Sequence, residues 1–276
     1  MKTRLFCYLF ALLAAYGLKA HYSRATSDGL DWILRPTTVL VERVSGLDFE
    51  YERGEGYLSR ERRIVIAPAC AGVNFMIAAF GMTLFSYLHL MPTAATTLLW
   101  TAGSLLGAYL LTIAVNALRI VVALRLYASG VVFFYANPAQ LHRLEGIAVY
   151  LTALCLAFWL AERVACNIVN SPLGRGWGWV PDKKDAYNIL PTPCPSQEGN
   201  ALRKFLLLPL LWYLAITLLV PLLNPNFHGD RARFAEHALT IAAACAVIAL
   251  LAALARKRLF PRFSLDFICR LWHERQ

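Results

Sequence analysis

A cysteine at the start of an apolar run is the first candidate for chemistry in this sequence. Cys70 lies in IAPACAGVNFMIAAF, residues 66–80, and is followed by Gly72 and Asn74. A thiolate nucleophile needs exposure and a nearby base or cation, and a helix N-terminus, which Pro68 favours here, stabilises negative charge. Gly72 would let a substrate backbone approach, and Asn74, four residues after Cys70, would share its helix face and donate to an oxyanion. The alternative for both is a small-residue packing patch with a satisfied amide.

An arginine within an apolar run is the second candidate. Asn116 and Arg119, in NALR, are three residues apart, so on a helix they point the same way. An arginine in a membrane helix costs about 2.5–3.5 kcal/mol on insertion scales, and such residues usually mark functional sites. The pattern predicts that Arg119 stabilises an anion with its charge and fork-shaped donors. Snorkelling towards lipid headgroups is the structural alternative.

A histidine before a later apolar run is the third candidate. In NPAQLHRLEGIAVY, residues 137–150, Asn137 and Pro138 predict a helix start. His142 then lies one turn into the helix, where it would serve as base for a thiol and as acid for a leaving group. Glu145 would orient His142, or it is simply a first-turn carboxylate. No further metal ligands lie near this HxxE spacing, so we predict neither a metal nor a cofactor.

The composition indicates the kind of molecule that must position these residues. The chain has 276 residues, of which 58% are hydrophobic, and its mean hydropathy is +0.51. These values exceed those of ordinary soluble domains and predict an all-α polytopic integral membrane protein. The net charge of +10 comes mostly from short connections, so nucleic-acid binding is not predicted.

Hydropathy predicts about six transmembrane helices, a small exported N-terminal segment and one ambiguous stretch. Residues 116–138 could form an additional span or a re-entrant segment, and a small strand pair is predicted within 37–51. The predicted spans cover residues 5–18, 66–88, 96–115, 144–164, 205–223 and 237–255.

The distribution of Lys and Arg predicts the orientation. With 116–138 kept at the outer face, both termini are cytoplasmic and the basic loops lie inside, as the positive-inside rule requires. Cys70 is then the one cysteine near the outer face. The predicted parts are a first span or signal anchor (1–20), an exported segment (21–63), a catalytic membrane core (64–165), a partly disordered cytoplasmic loop (166–204), two C-terminal spans (205–255) and a basic cytoplasmic tail (256–276).

The order of these motifs on a polytopic chain resembles the exosortase/archaeosortase family. The resemblance covers roughly residues 64–165 and rests on Cys in ACAG, Arg in NALR and His before a span. Many members read CSG where this chain has Cys70-Ala71-Gly72, and ACAGVNF is similar to the exosortase K branch. By this resemblance Cys70 would be the nucleophile, with Arg119 and His142 as its catalytic partners.

The resemblance implies a cysteine transpeptidase or protease of the bacterial cytoplasmic (inner) membrane, without a cofactor. Its partners would be exported proteins with a PEP-CTERM-like C-terminal sorting signal and membrane anchor. They would be cleaved at the outer face through a thioester and transferred to an acceptor. A non-catalytic polytopic transporter or envelope assembly factor is the alternative, with Arg119 and His142 lining a pathway.

Overall fold

A computed structural model describes residues 2–62, 64–128, 138–170, 201–219, 235–236, 238–247 and 250 of the chain. The chain divides into two units, residues 1–228 and 229–276. The described part of the second unit includes a short apolar helix, Ala238–Val247. Cys70, Arg119 and His142 all lie in the first unit.

The first unit is mostly helical, with a small antiparallel sheet between its first and second candidate spans. In chain order the elements are α1 (Lys2–Tyr22), a 3₁₀ turn (Asp28–Leu30), α2 (Asp31–Ser45), β1 (Glu50–Glu52), β2 (Gly56–Ser59), β3 (Ile64–Ile66), a second 3₁₀ turn (Pro68–Cys70), α3 (Val73–Tyr87), a third 3₁₀ turn (Leu88–Leu90), α4 (Ala94–Ala128), α5 (Pro138–Asn170) and α6 (Ala201–Leu214), which continues as a π-helical turn (Ala215–Leu219).

Within the described residues, four segments are long and apolar enough to cross a membrane, where the sequence predicted about six spans. They are Lys2–Tyr22, Pro68–Leu90, Ala94–Tyr127 and Leu141–Val169. The two C-terminal spans predicted at 205–223 and 237–255 coincide with the shorter apolar helices Leu207–Leu218 and Ala238–Val247. Both predicted spans extend beyond the residues that the structure describes. Most of the predicted loop at 166–204 and the whole tail from 256 onward lie outside those residues.

The stretch at 116–138 is not a separate re-entrant segment over its described part. Residues 116–128 continue α4 without a break, and 129–137, including Asn137, lie outside the described residues. A helix satisfies its own backbone hydrogen bonds, so a buried arginine does not interrupt it when the side chain finds a favourable neighbour. Arg119 finds one in the ring of Tyr150, 5.3 Å from the guanidinium carbon.

The central element is α3, which is apolar on all sides and packs against α1, α4, α5 and α6. Phe80, Met82 and Leu84 are fully buried. An added Cβ at Gly81 would lie 2.5 Å from the ring of Trp212 in α6, so a residue without a side chain is needed there. α3 therefore fixes the positions of the helices around it.

The segment from Asp28 to Ile66, here named the cap, contains α2 and the sheet. The strand pair predicted within 37–51 is wrong for residues 37–45, which belong to α2. The buried positions of α2 recur at helical spacing, and the Thr37 and Thr38 hydroxyls donate back to main-chain carbonyls one turn earlier. The sheet follows instead, in the order β1-β2-β3 with both pairs antiparallel.

Candidate functional site

Cys70 lies in a short turn between β3 and α3. Ala67 is extended, as expected for a residue before proline, and Pro68 opens the 3₁₀ turn that Cys70 closes. The Cys70 amide donates to the Ala67 carbonyl over 2.8 Å, and the residue is half-exposed. The first amide of α3, that of Val73, follows three residues after Cys70, and the helix has no side-chain cap. The unpaired N–H groups at the start of α3 give the turn a local preference for negative charge.

Asn116 holds the main chain of Cys70 from α4. Its side-chain amide donates a hydrogen bond to the Cys70 carbonyl, and the Tyr150 hydroxyl donates to Asn116 Oδ1 over 2.7 Å. Asn116 is fully buried, and the Tyr150 ring stacks on Phe75 of α3 with their centroids 4.9 Å apart. The backbone of Cys70 is therefore fixed by a chain of contacts that joins α3, α4 and α5.

Gly72 has a backbone and a packing role in this arrangement. Its φ of +69° is left-handed, and it is the N-cap of α3. An added Cβ would lie 3.1 Å from Thr112 Cγ2 and 3.3 Å from Asn116 Cγ. The close approach of α4 agrees with the packing alternative for this glycine, and the predicted role in substrate approach stays a prediction.

The predicted shared face of Cys70 and Asn74 is wrong, because Gly72 separates the 3₁₀ turn from α3 and ends the helical register between them. Asn74 Oδ1 instead accepts a hydrogen bond from Lys19 Nζ of α1 over 2.8 Å. The satisfied-amide alternative therefore describes Asn74 better than an oxyanion donor does.

Arg119 lies one turn beyond Asn116 and is 9% exposed. Its guanidinium faces the Tyr150 ring, and a Cβ added at Gly146 would lie 3.5 Å from Arg119 Nη1. Arg119 Nε is buried and has no hydrogen-bond partner in the part of the chain that the structure describes. A buried donor without a partner is costly, so it is expected where a ligand completes the bonding.

His142 and Glu145 face each other on the first turns of α5. His142 Nδ1 lies 3.7 Å from Glu145 Oε2, and the side chains are 38% and 5% exposed. Among the described residues, both Glu145 oxygens and His142 Nδ1 are buried without hydrogen-bond partners. Arg119 interacts electrostatically with both residues. Glu145 therefore lies beside His142 at a separation longer than a hydrogen bond, and its orienting role stays a prediction.

The structure brings the predicted residues to the same end of the helix bundle without joining all of them. Within the described residues, no hydrogen bond links the Cys70 thiol to His142. Tyr150 interacts electrostatically with Cys70, Arg119 and Glu145, so it lies near all three.

Sequence reasoning missed three residues of this site. They are Tyr150, which connects the three helices, Tyr22, which interacts electrostatically with Cys70 and Arg119, and Lys19, which holds Asn74. The spacing of four residues from His142 to Gly146 to Tyr150 was a usable signal, because it places all three on one helix face. The end of α1 carried no comparable pattern.

Cys70 differs from the other free thiols in its exposure. In the described part of the chain, Cys7, Cys155 and Cys245 are free and buried, Cys70 is free and half-exposed, and Cys166 is disulfide-bonded. The described residues hold no group of three or more His, Cys, Asp or Glu side chains able to bind a metal ion. The arrangement is thus suited to thiol chemistry beside a buried cation.

Comparisons of the chain with protein-family models, with curated proteins and with solved structures found no match to any of them.

Proposed function

We propose that this chain is a cysteine transpeptidase or protease of the exosortase type, acting on exported proteins near a C-terminal membrane anchor. The observation that supports the proposal is the convergence at one end of the bundle of a half-exposed thiol, a buried arginine whose Nε has no hydrogen-bond partner among the described residues, and a His–Glu pair. In the proposed orientation this end faces the outside of a bacterial cytoplasmic membrane.

The reaction begins with a proton transfer and an attack. His142 accepts the Cys70 proton, directly or through water, and the sulfur adds to a peptide carbonyl of the substrate. The carbonyl oxygen becomes an oxyanion, which Arg119 stabilises with its unpaired Nε–H and its charge. The uncapped amides at the start of α3 supply further donors on the same side as Cys70.

Collapse of this intermediate breaks the peptide bond. His142 returns the proton to the departing amine, which stays with the membrane anchor, and the rest of the substrate remains as a thioester on Cys70. An acceptor amine, hydroxyl or water then attacks the thioester and frees the thiol. Transfer to an amine or hydroxyl is transpeptidation or its ester equivalent, and transfer to water is proteolysis.

The test is processing of an exported protein with a C-terminal span, expressed together with this chain. We expect Cys70→Ala and Cys70→Ser to abolish the size shift of that protein, because neither supplies a thiolate. Cys155→Ser is the matched control, since Cys155 is a free thiol buried in α5. Unchanged processing by Cys70→Ala would refute the proposal and favour the transporter or assembly-factor alternative.

A labelling experiment tests the orientation separately. A membrane-impermeant maleimide added to intact cells from which the outer membrane has been removed should modify Cys70 and leave Cys155 unmodified. Labelling that requires membrane permeabilisation would place the thiol on the cytoplasmic side and contradict the proposed topology.

A further inference from the structure

We propose that the outer edge of β3 binds the substrate as an added β-strand and leads its scissile bond to Cys70. This inference rests on the proposed function and specifies how the substrate is recognised. The occupant is an extended peptide segment on the exported side of the scissile bond. Recognition is mainly through its main chain, the mode known as β-augmentation.

The first observation is that β3 is an edge strand. It pairs with β2 on one side, in the register Tyr57↔Ile66, Leu58↔Val65 and Ser59↔Ile64. Within the described residues, its other side makes no main-chain hydrogen bond to any element. Val65 is 40% exposed. An edge of this kind presents unpaired N–H and C=O groups at the spacing of a strand.

The second observation is a contrast between the two edges of the same sheet. The edge strand β1 is Glu50-Tyr51-Glu52, and all three residues are exposed. Charged side chains on an edge strand discourage pairing with another chain. β3 is Ile64-Val65-Ile66 and has no charge. The sheet is therefore protected at one edge and open to pairing at the other.

The third observation is that β3 continues directly towards the nucleophile. Ala67 stays extended, with φ −92° and ψ 173°, before the turn that ends at Cys70. Cys70 is four residues after Ile66, a separation of at most about 14 Å in an extended chain. A peptide paired with β3 therefore reaches the thiol within about four of its own residues.

Chain order determines which part of the substrate occupies this edge. The cap precedes the candidate span Pro68–Leu90, so β3 lies outside the span and Cys70 lies at its start. A substrate anchored by its own C-terminal span would place the anchor beside the helices and its exported part along β3. The paired residues are thus those on the N-terminal side of the cleaved bond.

Strand addition gives the substrate a testable periodicity. Successive amides of an extended peptide point to opposite sides, so every second one faces β3. Replacing the N–H hydrogen of an amide that faces β3 with a methyl group should weaken binding of the peptide. The same change at the next residue, whose amide points away from β3, should not. Recognition by side-chain pockets alone would give no such alternation.

The experiment compares two reagents on the full-length chain in lipid vesicles. The peptidyl probe is an N-acetylated hexa-alanyl chloromethyl ketone, which is long enough to cover the roughly four residues between the thiol and β3 and to pair with the strand, and the reference is iodoacetamide. In each case the Cys70 sulfur forms a carbon–sulfur bond, the halide leaves with its electron pair, and the thiol proton passes to a base or to solvent. The measured quantity is the ratio of the two alkylation rates at Cys70.

We expect N-methylation of a facing amide of the probe to lower this ratio about three- to tenfold, the effect of losing one hydrogen bond. N-methylation at the adjacent position should leave the ratio within twofold. Equal effects at adjacent positions, or none at either, would overturn the inference. Cys70 would still react with iodoacetamide in that case, so the proposed nucleophile would be unaffected.

Variants of the protein test the pairing with β3 independently of the probe. The main-chain N–H groups of Ile64 and Val65 point to opposite sides of β3, so one of the two points outward. Proline has no N–H group, so either Ile64→Pro or Val65→Pro removes this outward donor. That variant should lower the ratio and keep its rate with iodoacetamide. The matched control is Glu52→Pro on the opposite edge, which should not alter the ratio. A normal ratio in both β3 variants would contradict the inference.

A second copy of this chain is the competing occupant of the edge. Val65→Cys in an otherwise cysteine-free chain would then form a disulfide-linked dimer under mild oxidation in vesicles. We expect the monomer to persist. Efficient dimer formation at low protein density would show that the edge pairs with itself, and it would overturn the assignment to substrate.

Discussion

The cap and the end of the helix bundle near Cys70 differ in how they treat ionisable side chains. In the cap, the Tyr57 hydroxyl donates to Asp31 over 2.6 Å, and the buried side-chain atom without a partner among its described residues is the uncharged Ser59 hydroxyl. At the end of the bundle, Arg119 and Glu145 keep buried polar atoms that have no hydrogen-bond partner among the described residues. Paired groups stabilise a fold, whereas unpaired buried ionisable groups reduce its stability and are retained where they serve a ligand. We infer that the charged groups of the cap stabilise its fold, whereas those at the bundle end are available to a ligand.

Arg119 should give the largest effect and the strongest test of this contrast. We expect Arg119→Ala to lower processing by roughly 10²–10³-fold, because it removes charge and donors from the developing oxyanion. Arg119→Lys keeps the charge and loses the fork, so it should recover only part of the activity. The measurement is the initial rate of substrate processing, with the amount of folded protein checked by size-exclusion chromatography in detergent.

Arg125 supplies the matched control on the same helix. Arg125→Ala should retain processing within about twofold, since the Arg125 side chain is exposed on α4 and surface substitutions have small effects. Equal losses of processing in Arg119→Ala and Arg125→Ala would indicate that both arginines act through membrane insertion. Arg119 would then have no special role, which would contradict the contrast between paired and unpaired ionisable groups.

Glu145 should separate activity from stability. We expect Glu145→Gln to lower processing about 10- to 100-fold, since His142 loses the carboxylate that faces it. Its melting temperature should change little, because the lost attraction to Arg119 is offset by the lower cost of burying a neutral amide. Asp31→Asn in the cap should do the opposite: it should lower the melting temperature and spare the thiol's reactivity with iodoacetamide.

Tyr150 tests whether the positioning of the Cys70 backbone matters for processing. Tyr150→Phe keeps the ring against Phe75 and Arg119 and removes the hydroxyl that holds Asn116. We expect processing to fall about tenfold, in line with the loss of roughly one hydrogen bond to a precisely placed group. Alkylation of Cys70 by iodoacetamide should stay within twofold. Parallel losses in both rates would mean that the thiol itself had been buried or displaced.

Tyr57→Phe should give the smallest effect, and it should change how the stability of the cap depends on pH. Burial, and then the hydrogen bond to Asp31, raise the pKa of Tyr57 above its ordinary value of 10.0. Because the folded state holds the phenol proton more tightly than the unfolded state, this contribution is complete below pH 10 and is lost as the pH rises above it. Tyr57→Phe should lower the stability of the cap by about 1 kcal/mol at neutral pH and flatten its alkaline decline.

The loss of cap stability at alkaline pH can be followed by hydrogen exchange of the cap amides. Exchange is measured by mass spectrometry between pH 8 and pH 11, and the rates are corrected for the intrinsic effect of pH. Tyr109→Phe is a suitable control, since its hydroxyl donates to the Trp32 carbonyl from outside the cap. An unchanged alkaline decline in Tyr57→Phe would mean that another group governs the stability of the cap.

The positions of the spans were more predictable than their exact number and ends. Apolar runs identified all four candidate spans, and Pro138 correctly marked the start of α5. The sequence did not predict that α4 continues through Arg119, because the favourable neighbour is the Tyr150 ring on a different helix. The cap was misread for a related reason: the β-branched run at 37–41 favours strand locally, and packing against α4 selects the helix.

The candidate site was predictable in its residue types and less so in its connections. Cys70, Arg119 and His142 stand out by chemistry along the chain. The hydrogen bonds that join Cys70 to Tyr150 through Asn116 depend on how three helices meet, and spacing within one helix carries no information about that. Gly72 shows the same limit, because its neighbour Thr112 is forty residues away in the sequence.

In the proposed topology, the length of α4 determines how deep Cys70 lies in the bilayer. Its 35 residues extend about 52 Å, whereas a hydrocarbon core is about 30 Å thick. Asn116, which bonds to the Cys70 main chain, lies about 33 Å along the axis from Ala94. With Ala94 at the inner boundary of the core, Cys70 would lie level with the outer lipid headgroups. Lipids with longer acyl chains would then submerge the thiol, so we expect its alkylation rate to fall as the membrane becomes thicker.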